Sequence, residues 1–148
     1  MSPTSRPSRS STKPPAHFSI DYRVYYEDTD AGGIVYHANY LKFAERGRTE
    51  YLRKSGWDHQ RLAAELKILL IVRHIEIDYR ASAKLDDLLS VETSILDCGN
   101  TSLTLEQIVA KGGVILARLK VVVVAVAENG RPVRLPPQLR QIFGGSRG

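Results

Sequence analysis

The sequence predicts an α+β domain in which five antiparallel strands form one sheet and a single long helix lies on it. Three observations predict this. Residues 17–27 alternate apolar and polar side chains, the period of a half-buried strand. From Tyr40 the apolar spacing lengthens to that of a helix. Between residues 68 and 127 four strand-patterned segments follow, and the last three are parted by tight turn signals.

In "HFSIDYRVYYE" (17–27), Phe18, Ile20, Tyr22, Val24 and Tyr26 share one face, so spacing alone puts Tyr26 in the core. Tyr40, Phe43, Ala44, Gly47 and Tyr51 form a helical stripe, with Asn39 as its expected N-cap. Gly47 costs about 1 kcal/mol relative to Ala, which is tolerable where a helix packs closely on a sheet. "SGW" breaks the helix, and 58–66 suits a short second one. The later strands are expected over 68–80, 86–98, 101–111 and 114–127. "GN" and "GG" between the last three favour antiparallel hairpins. "VVVVAVA" (121–127) is apolar on both faces and is therefore a central strand, or one covered on both sides. One helix covers one face only, so a second, identical subunit is expected over the other.

The ends read differently. Residues 1–16 are Ser/Pro/Arg-rich and are expected to be a disordered basic arm. The folded domain is expected over 17–137. Residues 138–148 form a tail half-extended by the preceding prolines, although Leu135, Leu139, Ile142 and Phe143 could dock.

Composition excludes several functions. At 148 residues and 43% hydrophobic, the chain suits one globular domain with a real core. Cys98 is its only cysteine, so no internal disulfide framework is possible. A cytoplasmic address fits this cysteine usage without being required by it. No apolar run is long enough for a membrane span, and the N-terminus lacks the apolar h-region of a secretory signal. The formal charge of +5 lives on the ends. Without the seven cations of residues 1–14 and 131–148, the body carries 14 basic and 16 acidic residues, a charge of −2. A nucleic-acid binder carries its positive charge on the folded face, so that class is disfavoured. The basic ends leave contact with an anionic membrane surface open.

"YYEDTDAGGIVYHANYL" (25–41) stands apart. Three acids precede two glycines, a short apolar run, His37 and the helix start. Acid-rich turns before helices are common, because Asp favours turns and helix N-termini. The same order also suits chemistry. Glycines let a ligand approach the backbone, and a helix N-terminus offers unpaired N–H groups to an oxygen gaining negative charge. A carboxylate facing a carbonyl held by those donors is a minimal site for attack on an acyl group. A metal site from Asp28, Asp30 and His37 is disfavoured, since no second histidine sits at ligand spacing.

"VYYEDTDAGGIVYHANYLKFAERGRTEYLR", with "IVRHIEIDYRASAKLDD" and "TSLTLEQ", resembles the Tol-Pal-associated acyl-CoA thioesterase family of the 4-hydroxybenzoyl-CoA thioesterase-like hot dog group. The resemblance covers about residues 20–137. The basic arm before Phe18 departs from it, as does Ser82, where a proline is usual. It implies a hot dog fold, a curved five-stranded antiparallel sheet wrapped round the long helix. Two subunits would pair their sheets, as a homodimer or homotetramer, with the site at their interface. By position it makes Asp30 the catalytic carboxylate, His37 the donor of the polarising backbone N–H, and Tyr26 a third member of the site.

The expected substrate is a short- to medium-chain or aromatic acyl-CoA, with acyl carrier protein as another possible thioester carrier and no cofactor beyond the CoA of the substrate. The acyl group is expected near Gly33 in a slot from Ile34, Val35 and Tyr36. The CoA phosphates are expected near Arg73, Arg80 or Lys84, each of which also suits a plain surface charge. Thiolate leaves readily, and a carboxylate is ordinarily ionised at pH 7, so the chemistry needs few groups. A hot dog hydratase is a poorer match, because "DTDAGGIVYH" does not fit its motif. A non-catalytic acyl-binding adaptor at the inner face of an envelope machine is the alternative from another class.

Overall fold

The computed structural model describes residues 17–144. The basic arm expected over 1–16, and the last four residues, lie outside the described residues. Strand β1 (His17–Arg23) is followed by a single 3-10 turn (Tyr26–Asp28), then helix α1 (Asn39–Lys54). Helix α2 (His59–Arg61) runs into a π turn (Leu62–Leu66). Strands β2 (Leu69–Tyr79), β3 (Leu88–Cys98), β4 (Ser102–Lys111) and β5 (Val114–Val126) follow, and helix α3 (Pro137–Gly144) closes the described chain.

All five strands form one antiparallel sheet in the order β1-β3-β4-β5-β2. The meander of the last three strands is as expected. β1 adds to β3 on one side, and β2 crosses to the far side of β5, where its other edge is free in this chain. The inward side chains of α1, Tyr40, Phe43, Ala44, Gly47 and Tyr51, are all buried. They meet Leu89 and Val91 of β3, Leu105 and Val109 of β4, and Val121 and Val123 of β5 in one core.

Gly47 permits this closeness. A Cβ there would come within 2.7 Å of Val91 Cγ1 and 3.2 Å of Gln107 Nε2, so any side chain would push the helix off the sheet. Gln107 is fully buried beside it. Its Nε2 donates to the Ala44 carbonyl (2.8 Å) and to Thr93 Oγ1 (2.9 Å), and its Oε1 accepts from Arg48 Nη1 (2.9 Å).

Four expectations change. β1 stops at Arg23, because the chain turns at Tyr26–Asp28; Tyr26 is therefore not a core residue but is 82% exposed. Ala38, not Asn39, is the residue before the helix, and no side chain caps it. Asn39 instead donates from Nδ2 to the Asp28 carbonyl at 2.7 Å. The proline-rich tail folds as α3, burying Leu139 and Phe143 against the core with Leu135. Finally, both faces of β5 are largely covered within this chain. Val121, Val123 and Ala125 point to the core, and Val124 and Val126 on the other side are also buried. On β2, beside its free edge, Leu69, Ile71 and Val72 are exposed.

Candidate active site

The corner between β1 and α1 is a tight loop closed on itself. Thr29 pairs with Val35, and the Asp30 N–H donates to the Ile34 carbonyl at 2.9 Å. Gly33, at φ 82°, returns its N–H to the Asp30 carbonyl at 3.0 Å, a turn only glycine adopts without strain. Asp30 Oδ1 accepts the Gly32 N–H at 2.8 Å, which fixes the side chain while leaving the residue exposed.

Asp28 fastens the loop from beneath. It is 7% exposed, and its Oδ2 accepts the Tyr25 N–H at 2.9 Å. Its carbonyl receives Asn39 Nδ2 and the Tyr36 N–H (3.4 Å), tying the acid-rich loop to the first turn of α1.

The helix start is tightened by i→i+3 bonds. Asn39, Tyr40 and Leu41 donate to the carbonyls of Tyr36, His37 and Ala38. The N–H groups of His37 and Ala38 meet no acceptor among the described residues. They stand at the positive end of the helix dipole, so they are donors for an external oxygen.

Tyr79, at the end of β2, holds these donors in place. Its hydroxyl donates to the His37 carbonyl at 3.0 Å, which fixes the peptide plane carrying the Ala38 N–H. Its ring meets the His37 imidazole edge-on at 5.8 Å and the Tyr40 ring at 5.7 Å. Tyr40 Oη accepts the Ala83 N–H at 2.9 Å and binds the helix start to the β2–β3 connection. Burial pushes both phenols above the ordinary tyrosine value, so they remain protonated donors at neutral pH.

Asp30, Gly33, Ile34, Tyr36 and His37 therefore share one corner. Ile34 (38% exposed) and Tyr36 (50%) offer apolar surface, and the Tyr36 and His37 rings lie 4.5 Å apart. Val35 does not join them, because its side chain is in the core and its N–H is bound to the Ala83 carbonyl. Tyr26 contributes its carbonyl, which accepts from Thr29, while its ring meets no other ring among the described residues.

Of the three cations, Lys84 pairs its backbone with Ile34 and borders the loop. Arg80 is bound to Asp78 at 2.9 Å. Arg73 falls in the β2 bulge, about 20 Å along the strand from Tyr79 at ~3.3 Å per residue, too far to reach this corner in its own chain. Sequence reasoning missed Tyr79 and gave Asn39 and Asp28 roles other than bracing the loop. A tyrosine at the end of a strand, on its helix-facing register, was the available signal for the first. No cluster of potential metal ligands occurs among the described residues.

A sequence profile of the thioesterase-like superfamily matches residues 24–143, a span that holds this whole corner and strands β2 to β5 behind it. The chain belongs to that superfamily. This thioesterase-like chain is 43% identical over 127 residues to the acyl-CoA thioesterase YbgC of Haemophilus influenzae, covering 85% of the one and 93% of the other. It is 44% identical over 122 residues to the acyl-CoA thioester hydrolase YbgC of Escherichia coli O6:H1, covering 82% and 87%. Among solved structures it is similar to a probable thioesterase from Bartonella henselae, with a TM-score of 0.79 and 39% identity over 82% of this chain and all of that one. This chain has the hot dog architecture, a five-stranded antiparallel sheet with the long helix against it, and the Bartonella structure shares it.

Proposed function

We infer that this protein is an acyl-CoA thioesterase in which the Asp30 carboxylate works against a carbonyl polarised by the His37 N–H. One observation carries the reading. An exposed carboxylate and two unused helix-start amides lie at one corner of a chain that matches acyl-CoA thioesterases over most of its length.

The thioester oxygen accepts from His37, with the Ala38 N–H and the helix dipole alongside. Asp30 then acts in one of two ways. It attacks the carbonyl carbon, CoA leaves as thiolate, and water opens the resulting mixed anhydride. Otherwise it takes a proton from a water that attacks directly. Single turnover in labelled water separates them when water opens the anhydride at the Asp30 carboxyl carbon, because that path alone puts the label into Asp30.

In this reading Ile34 and Tyr36 begin the acyl slot, for a short- to medium-chain or aromatic group, and Lys84, whose backbone pairs with Ile34, meets a CoA phosphate. Acyl carrier protein is the other thioester carrier this corner would suit.

The free edge of β2, with Ile71 45% exposed beside it, supports pairing with a second copy in a dimer or tetramer. No helix among the described residues is long and apolar enough to cross a membrane. The Tol-Pal association belongs to this reading on the sequence resemblance alone, and the cytoplasmic address on the cysteine usage of the sequence.

Thiol release from a panel of acyl-CoAs tests it. Turnover is expected with at least one chain length and to fall at least 100-fold in Asp30→Asn. Binding of acyl-CoA without thiol release would make the protein an acyl-binding adaptor.

A further inference from the structure

Asn39 joins the two halves of the corner. Its backbone N–H donates to the Tyr36 carbonyl at 2.8 Å, and that carbonyl belongs to the same peptide as the His37 N–H. Its side-chain Nδ2 donates to the Asp28 carbonyl at 2.7 Å, two residues before the Asp30 carboxylate. The Tyr36 N–H reaches the Asp28 carbonyl as well, but at 3.4 Å it is the weaker tie. Asp28, Tyr36 and Asn39 therefore close a hydrogen-bonded ring, and the peptide that carries the His37 N–H is one side of it.

The acceptor of this tether is a fixed point, because Asp28 is buried and its Oδ2 holds the Tyr25 N–H at 2.9 Å. The bonds of Asp30 itself go to Gly32, Gly33 and Ile34. They set the shape of its own loop and leave the distance from loop to helix start to other contacts. Helix formation does not account for Asn39. Asparagine is a poorer helix former than alanine, and no side chain caps α1. The tether does account for it.

We propose that Asn39 is a positioning residue for the thioesterase reaction: its carboxamide, held on the Asp28 carbonyl, sets the reach from the Asp30 carboxylate to the thioester held by the His37 N–H. It acts through those two groups and touches neither substrate nor reacting atoms. This role rests on the Asp30 reading above. Attack needs the reacting atoms about 3–3.5 Å apart, and a misplacement of about 1 Å costs up to about 100-fold in rate. Loss of the tether therefore lowers kcat while the contacts that bind the acyl group and CoA stay in place.

A double-mutant cycle on the full chain tests it, with thiol release from the acyl-CoA that wild type turns over fastest. Asn39→Ala is expected to fold, since alanine suits the first turn of a helix. Its kcat should fall about tenfold with KM within about twofold of wild type. Asn39→Gln keeps a donor on a longer arm and should recover part of that loss. Asn39→Asp has the same size but no donor when ionised, and should recover none. If Asn39→Ala unfolds, the last two variants carry the same comparison. Behind Asp30→Asn, Asn39→Ala should change kcat by less than about twofold, because the carboxylate it positions is gone. The proposal is overturned if the loss is absent, if it falls on KM alone, if Asn39→Asp matches wild type, or if the loss recurs in full behind Asp30→Asn. In those cases the Asp30 reading still stands on the fall in Asp30→Asn by itself. If Asp30→Asn alone keeps more than about a tenth of wild-type kcat, that reading fails and the role of Asn39 fails with it.

Discussion

Helix α1 touches two polar clusters of opposite build. At its middle, Gln107 is sealed from water, and its amide nitrogen and oxygen find partners on Ala44, Thr93 and Arg48. At its start, Asp30 is exposed, and the His37 and Ala38 amides have no acceptor among the described residues. The first cluster uses its hydrogen bonds to hold helix against sheet. The second keeps donors and a carboxylate in reserve beside a loop that the rest of the chain braces. The contrast separates groups that stabilise the fold from groups that can meet a substrate, and it can be tested from both sides.

Gln107→Leu should do the greatest damage. It keeps the volume but leaves the Thr93 hydroxyl unmatched in a dry setting, takes the second donor from the Ala44 carbonyl and releases Arg48. Buried groups stranded in this way cost about 1–3 kcal/mol each, so a total of about 3 kcal/mol or more is expected from urea unfolding. A loss below about 1 kcal/mol would mean that the middle cluster does not lock the helix to the sheet.

Asp30→Asn is its mirror. The amide oxygen can still accept the Gly32 N–H, so unfolding free energy should stay within about 0.5 kcal/mol of wild type. The hundredfold fall in kcat corresponds to about 2.7 kcal/mol of barrier. Equal losses of stability and turnover would erase the distinction between the clusters.

Tyr79→Phe should fall between them. The ring contacts with His37 and Tyr40 survive, but the hydrogen bond to the His37 carbonyl is lost. One such bond is worth about 1 kcal/mol. If it orients the helix-start peptide, kcat falls about fivefold while KM holds, and Tyr79→Leu loses more because the ring goes too. A change in KM alone would give Tyr79 a substrate-contact role instead of a positioning one.

Much of the fold was legible before the structure. The stripe of Tyr40, Phe43, Gly47 and Tyr51 and the three-strand meander are local patterns, and local patterns survive folding. The placement of β2 beyond β5 was not legible, because nothing within the strand says which neighbour it takes. Tyr26 was misread because alternation continued three residues past the end of β1 at Arg23, into the turn. In the candidate site, the order of acid, glycines and helix start could be read from the string. The bracing by Tyr79, 42 residues from His37 in sequence, could not. The cover over the outer face of β5 also came from long-range packing, which shifts the case for a second subunit from β5 to the free edge of β2.

The smallest effect belongs to the support behind the corner. Asp87 accepts Lys111 Nζ and the Lys84 N–H, both at 2.8 Å. Lys84 pairs with Ile34, and Leu85 donates to the Gly33 carbonyl, so Asp87 steadies the segment on which the Asp30 loop rests. The Lys111 hydrogen bond first, and then the Lys84 amide, hold the Asp87 carboxyl below its ordinary value. A depressed carboxyl stabilises the folded state at every pH above the unfolded value of about 3.9, and that contribution disappears as pH falls through the lower folded value. Asp87→Asn should therefore be less stable than wild type by at most about 1 kcal/mol between pH 5 and 8, since Lys111 is half exposed and water screens the pair. The two proteins should converge as the pH drops below about 4. Thermal melts across that range check the sign. A gap that widens in acid would mean that Asp87 does not act through its charge, leaving the Lys84 amide bond, which asparagine can also accept, as the support beneath the corner.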